Sequence, residues 1–319
     1  MNTLFFLIQQ TMFFTIPLLV VALGGMFSER SGVINIALEG IMIMGGFCSI
    51  LFISFMQDTM AGQPLLLLAI LIAMISGAVF SLLHAYASIN MKADQTISGT
   101  ALNLMAPAVS IFAARMIQPS GVQQIQFTNT FRIAKVPVLG DIPILGDMFF
   151  QNVYLTTYIG VAILIIAAIL LYKTKFGLRL RACGEHPQAA DSVGVNVYRM
   201  RYAGVMISGA LGGLGGLIFV VTTSTNFNAT VAGYGFLALA VLIFGQWNPW
   251  RIALAALFFG FMKTISATYS SIPWLVQLQV SGYVYKMIPY IATLVVLVFS
   301  SRNSQAPKAA GVPYDQGAR

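Results

Sequence analysis

Charge is what this sequence has least of. Asp, Glu, Lys and Arg make up 8% of the 319 residues, against 58% hydrophobic residues, and the mean hydropathy is +0.84. A soluble domain carries about 25% charged residues. So few charges cannot solvate the surface of a water-soluble protein of this length. Lipid is the solvent that suits the chain, and the length allows several spans of roughly 20 residues each. Cysteine is scarce too: Cys48 and Cys183 stand far apart without metal-ligand spacing, and both read as ordinary residues. There are two histidines, His84 and His186, too few for an intramembrane catalytic or metal cluster. No Lys or Arg precedes Arg30, so the first apolar run lacks the basic start of a cleaved signal and is expected to remain as a transmembrane helix. The formal net charge of +8 does not argue for nucleic acid, because the cations sit mostly in short loops between apolar runs.

Pro, Gly and charge divide the chain into nine candidate spans, at about 4–27, 33–56, 65–90, 96–117, 152–172, 201–223, 233–247, 250–268 and 283–300. The expected fold is all-α, a polytopic transmembrane bundle over 1–300 with a tail at 301–319. The span at 233–247 is short, as expected of a tilted, broken or re-entrant helix packed inside protein. With the N-terminus outside, nine spans place Arg30, Lys92, Lys173, Lys175, Arg179, Arg181, Arg199, Arg201, Arg251, Arg302, Lys308 and Arg319 in the cytoplasm, and only Arg132 and Lys135 outside. That bias sets the orientation and makes the C-terminus cytoplasmic. The long outside segment 118–151, with Pro119, Pro137, Pro143, Gly140 and Gly146, is read as lying along the membrane surface, either a docking place or a connector. The tail, polar and with Pro307 and Pro313, is expected to be irregular.

The cytoplasmic loop from Lys173 to Arg201 has a structured centre. Pro187 suits the first turn of a helix, Ala189 and Ala190 favour helix, and Gly194 suits its end. A short helix over about 187–193 is therefore expected between two basic flanks, with small alanines that allow another protein to approach. It reads either as a docking helix or as a basic linker. Glu185 and His186 are adjacent and do not face a common point, so no acid–base pair is assigned there.

Polar groups within spans are costly and face the bundle interior. The candidates are Asn35 and Glu39, four apart and expected on one helix face, then Asn103, Thr222, Thr223 and Lys263. Glu39 is read as a partner inside the bundle, and Lys263 as snorkelling towards the outer interface. Gly209 with Gly213, and Gly212 with Gly216, have the spacing of close helix packing. Tyr234, Phe236 and Asn226, near the outer end of the sixth and seventh spans, are further candidate contact residues.

Four stretches carry a resemblance. SERSGVINIALEGIMIMGG (Ser28–Gly46) resembles the opening of the second helix in permeases of the branched-chain amino acid, ribose and nucleoside group of ATP-binding-cassette importers. RACGEHPQAADSVGVNV (Arg181–Val197) is similar to that group's coupling loop. GYGFLALAVLIFGQWNPW (Gly233–Trp250) and VPYDQG (Val312–Gly317) favour the nucleoside branch, although Gln246 stands where a basic residue is expected. The resemblance implies a permease working with a second, related permease, an ATPase subunit and an extracellular substrate-binding lipoprotein in a bacterial plasma membrane. It implies that Gly184, Glu185, Pro187, Ala189, Ala190, Asp191 and Gly194 couple to the ATPase; the pathway candidates, taken from residue type and place in the spans, are Asn35, Glu39, Asn103, Asn226 and Phe236. The chain has no G-x-x-x-x-G-K-[ST] stretch, so ATP and Mg belong to the partner, and neither cofactor, metal nor catalytic residue is assigned here. A ribose permease is the runner-up. An ion-coupled secondary transporter would need several midplane acids, and only Glu39 lies within a span. A membrane-embedded enzyme would need a cluster of His, Asp or Glu.

Overall fold

A chain surrounded by lipid must satisfy its backbone internally, and for apolar runs of this length helix is the way to do so. The computed structural model describes residues 2–118, 121–128, 130–137, 139–272, 275, 277, 278, 280–300 and 305–317. Pro119, Arg302 and Arg319 lie outside the described residues.

The helices are α1 (Asn2–Arg30), α2 (Leu38–Met56), α3 (Gln63–Ala85, continued by a π-helical turn, Tyr86–Asn90), α4 (Gln95–Ile117), α5 (Leu155–Lys173), α6 (Lys175–Glu185), α7 (Pro187–Ser192), α8 (Val197–Thr223), α9 (Tyr234–Phe244), α10 (Pro249–Thr268) and α11 (Gly282–Ser300). Among the described residues, seven helices are long and apolar enough to cross a membrane: α1 to α5, α8 and α10. The expected short span is the 11-residue α9, and the last expected span is α11.

The glycine-rich α8 runs through the centre, and its glycines face different neighbours. A Cβ on Gly213 would overlap the Ala73 carbonyl of α3, and one on Gly209 would lie 2.6 Å from the Gly77 carbonyl. On another face, Gly216 meets the Met42 carbonyl of α2, and Gly215 meets Val21 of α1. Gly209, Gly213 and Gly216 therefore mark backbone-to-backbone approaches, while Gly212 packs against the Ile41 side chain.

The packing has an internal symmetry. α3 lies against α8 as α10 lies against α1, and α2 lies against α8 as α9 lies against α1. The end of α1 abuts the start of α8, where a Cβ on Gly204 would meet Ser31, so the triplets α1–α2–α3 and α8–α9–α10 run in opposite directions. Inverted repeats of this kind carry discontinuous helices, and the middle helix of each triplet starts late. α2 begins at Leu38, after an irregular stretch that enters the bundle. This corrects the expectation that Asn35 and Glu39 share one helix face: Asn35 precedes the helix. Irregular backbone is tolerated there because protein groups satisfy it. Asn35 donates to Ser208 Oγ at 2.9 Å, His84 Nε2 donates to the Ile34 carbonyl at 2.9 Å, and Gln95 Oε1 accepts from the Ile34 amide at 2.7 Å.

On the face opposite Arg30, segment 118–151 forms short ribbons. β1 (Ile125–Gln126) pairs with β4 (Asn226–Phe227), and β2 (Arg132–Lys135) pairs with β3 (Gln151–Tyr154), both antiparallel.

Candidate functional site

On the Arg30 face, the expected short helix is α7, over 187–192. Pro187 occupies its first turn, and Gly194, at φ +82°, takes the left-handed conformation that ends it. The stretch before it is itself a helix, α6, opened by Thr174 Oγ1 accepting from the Gly177 amide at 3.1 Å. α6 is tied to α1: a Cβ on Gly184 would overlap the Arg30 carbonyl, and Glu185 lies 3.6 Å from Arg30.

α7 does not present all its alanines outward, as the sequence suggested. Pro187 and Ala190 are buried against the bundle, while Gln188, Ala189, Ser192 and Val193 are exposed. Val193, at 78% exposure, is an apolar group on this outward face that sequence reasoning missed. Asp191 faces sideways and accepts from Gln316 Nε2 at 3.4 Å.

Gln316 belongs to the tail, whose described residues, 305–317, are irregular as expected but docked on the bundle. Gln246 Oε1 accepts from the Gln305 amide at 2.8 Å, the Gly184 carbonyl from Ala309 at 2.8 Å, and the Gly32 carbonyl from Gly311 at 3.2 Å. Tyr314 is buried, edge-on to Tyr198 at 5.4 Å and beneath the Arg201 guanidinium at 5.9 Å. Lys92 and Asp315 form a half-exposed pair at 2.7 Å, which raises the pKa of the lysine and lowers that of the carboxyl through their mutual hydrogen bond. Gln246, standing in place of a basic residue, thus fastens the tail. The neighbouring turn is held by α1: Trp247 Nε1 donates to Glu29 at 2.6 Å, and Arg30 donates to the Trp247 carbonyl at 3.1 Å.

The second constellation lies within the bundle. Glu39, in the first turn of α2, accepts from the amides of Gly233 at 2.9 Å and Gly235 at 2.7 Å, the start of α9. Asn103 of α4 accepts from the Gly40 amide at 2.8 Å and donates to the Ile36 carbonyl at 2.9 Å. Asn35, Glu39 and Asn103 therefore serve the backbone where the half-helices begin. Asn226 sits apart from them in β4, where its Oδ1 meets Ser224 Oγ at 3.0 Å.

Phe236 is different. It lines a cavity of about 450 Å³ with Gly233, Leu237, Lys263, Tyr290 and Leu294, between α9, α10 and α11. Lys263, expected to snorkel, has its ammonium between aromatic rings. Its Nζ lies 5.4 Å from the ring centre of Tyr234 and 5.6 Å from that of Tyr290.

Residues 7–297 match the family of branched-chain amino acid transport system permease components. The chain belongs to this family. As a permease component it is a transport subunit and not an enzyme. It is 46% identical over 315 residues to the guanosine ABC transporter permease protein NupQ of Bacillus subtilis, covering 98% of this chain and 97% of that one. It is 42% identical over 314 residues to the nucleoside ABC transporter permease protein NupC of Lactococcus lactis, covering 98% of each. Similarity also extends to that organism's nucleoside ABC transporter permease protein NupB, at 27% over 264 residues, covering 78% of this permease and 69% of NupB. No solved structure matches the permease.

Proposed function

We propose that this permease is the transmembrane subunit of an ATP-binding-cassette importer that moves nucleosides across a bacterial plasma membrane, driven by a separate ATPase subunit. The observation that carries this is the 46% and 42% identity, over nearly whole chains, to permeases named for guanosine and nucleosides. A second, related permease completes the pathway, as suggested by similarity to both NupB and NupC from one organism. An extracellular lipoprotein delivers the substrate, and ATP and Mg bind on the ATPase alone.

In this reading the chain has nine membrane segments, the seven long helices with α9 and α11, within a permease domain over 1–300. The N-terminus lies outside and the C-terminus in the cytoplasm. The positive charges support this, since Arg30, Lys92, Arg181, Arg201 and the docked tail share one face. The exposed side of α7, with Ala189 and Val193, enters the ATPase. Asp191, Gly184 and Glu185 pass its movement to the tail and to α1, while Pro187, Ala190 and Gly194 set its shape and seat. Phe236 lies on the pathway, and Asn226 stands near its outer mouth.

The test is uptake of labelled nucleosides and labelled ribose by bacteria that lack other routes for either and express the complete importer. ATP-dependent entry of nucleosides is expected. Entry of ribose without nucleosides overturns the substrate assignment.

A further inference from the structure

The cavity between α9, α10 and α11 holds a cation whose partners among the described residues are two aromatic faces, those of Tyr234 and Tyr290. Lys263 has no carboxylate within ion-pair distance and no hydrogen-bond acceptor among the described residues. Its depth makes this costly. Tyr234, over whose ring the ammonium lies, is ten residues above Phe244 at the far end of α9. At 1.5 Å per residue that is about 15 Å, half of a hydrocarbon core of about 30 Å. A charge inside the bundle marks a substrate path by default, and a passing molecule with an acceptor on its edge would meet the free N–H donors of this ammonium.

The walls indicate the partner's shape. The lining is almost wholly apolar, and the side chains of Phe236 and Tyr290 are 51% and 62% exposed. Exposed aromatic faces flanking three unused N–H donors suit a flat ring with an acceptor on its edge. The volume lies within the range of small-ligand pockets. Guanine and hypoxanthine present O6 and N7 as adjacent acceptors, a pair that lysine reads well, whereas adenine places an amino donor beside N7.

We infer that this cavity is the base-recognition site of the pathway: Lys263 Nζ donates to the exocyclic oxygen of a 6-oxopurine nucleoside, whose ring stacks on Phe236 and Tyr290. The inference rests on the nucleoside reading and makes Lys263 a specificity-determining residue.

The test uses the complete importer in proteoliposomes, with labelled guanosine and labelled adenosine. Lys263→Met is expected to lower guanosine uptake relative to adenosine by about tenfold or more. Lys263→Arg, which keeps a donor, should retain the wild-type preference. Tyr290→Leu should lower both nucleosides by about fivefold or more, because stacking does not depend on the edge groups. Equal uptake ratios in wild type and Lys263→Met overturn the proposal. So does loss of the partner permease on purification of Lys263→Met, which would make Lys263 a subunit-interface cation. Failure of the wild-type complex to take up any nucleoside overturns the nucleoside reading itself, whatever the variants do.

Discussion

The carboxylate of Glu39, in the first turn of α2, accepts a 2.7 Å hydrogen bond from the backbone amide of Gly235 at the start of α9. Two helices that begin inside the bundle are thus pinned start to start. The charge is well placed, because both starts present unpaired N–H groups and the positive ends of their dipoles. A Cβ on Gly235 would fall on the Glu39 backbone, so the contact also needs that glycine.

Removing this cap should be costly. Glu39→Ala strands two amide donors inside the bundle, at about 1–3 kcal/mol for each buried group. Glu39→Gln keeps one acceptor and should lose less. Thermal unfolding in detergent should rank wild type above Gln and Gln above Ala. Equal midpoints for Ala and wild type would rule out the capping role.

The glycines of α8 differ in consequence from glycines in open space. Gly213→Leu and Gly216→Leu drive side-chain atoms into the Ala73 and Met42 carbonyls. Neither backbone can retreat, so monodisperse protein should not be recovered. Gly121→Ala meets nothing within 4 Å and bears only the strain of φ +63°, about 1–2 kcal/mol. Gel filtration of the variants distinguishes these outcomes.

Much of this was legible in the sequence. Apolar runs separated by charge and proline located the helices, because lipid leaves such segments one backbone solution. Pro187 and Gly194 bounded α7, because one fits a helix start and the other a left-handed end. Lateral relations were not legible. Nothing in the spacing of Asn35 and Glu39 says that the helix starts between them, since that depends on Asn103, 63 residues further along in α4, accepting from the Gly40 amide. The burial of Ala190 but not Ala189 depends on α8 and the tail. The direction of Lys263 depends on Tyr234 and Tyr290, both remote in sequence.

Cys183 gives a pH-dependent prediction. It is fully buried in α6, and desolvation pushes its thiol from 9.0 up to about 11. Its thiolate fraction at neutral pH is lowered roughly a hundredfold, and the thiolate is the reactive form. Maleimide should therefore spare Cys183 at pH 7.5 and label it on denaturation. Because the folded value is the higher one, the stabilisation is complete below pH 9 and is lost as pH rises through about 11. Rapid labelling of the native protein would contradict this placement.

The tail is held by its ring rather than its charges. Tyr314→Ala should lose about 3 kcal/mol of local packing, enough to release the segment. Asp315→Asn removes only an exposed pair and should leave it docked. A spin label at Gly317→Cys should become mobile in the first background and stay restrained in the second. The opposite pattern would mean that charge holds the strap.

The most direct measurement is ATP-driven entry of labelled guanosine and labelled ribose into proteoliposomes containing the complete importer, with the wild-type permease and with Ala189→Glu. Ala189 is exposed on α7, so the change should leave the permease folded, with stability altered by no more than about 0.5 kcal/mol. The expected result is accumulation of guanosine but not ribose by the wild type, and guanosine entry at least about tenfold lower in the variant. That loss would correspond to about 1.4 kcal/mol or more in the coupling of α7 to the ATPase. Undiminished guanosine entry with Ala189→Glu, or accumulation of ribose in place of guanosine, would contradict a nucleoside permease driven through α7.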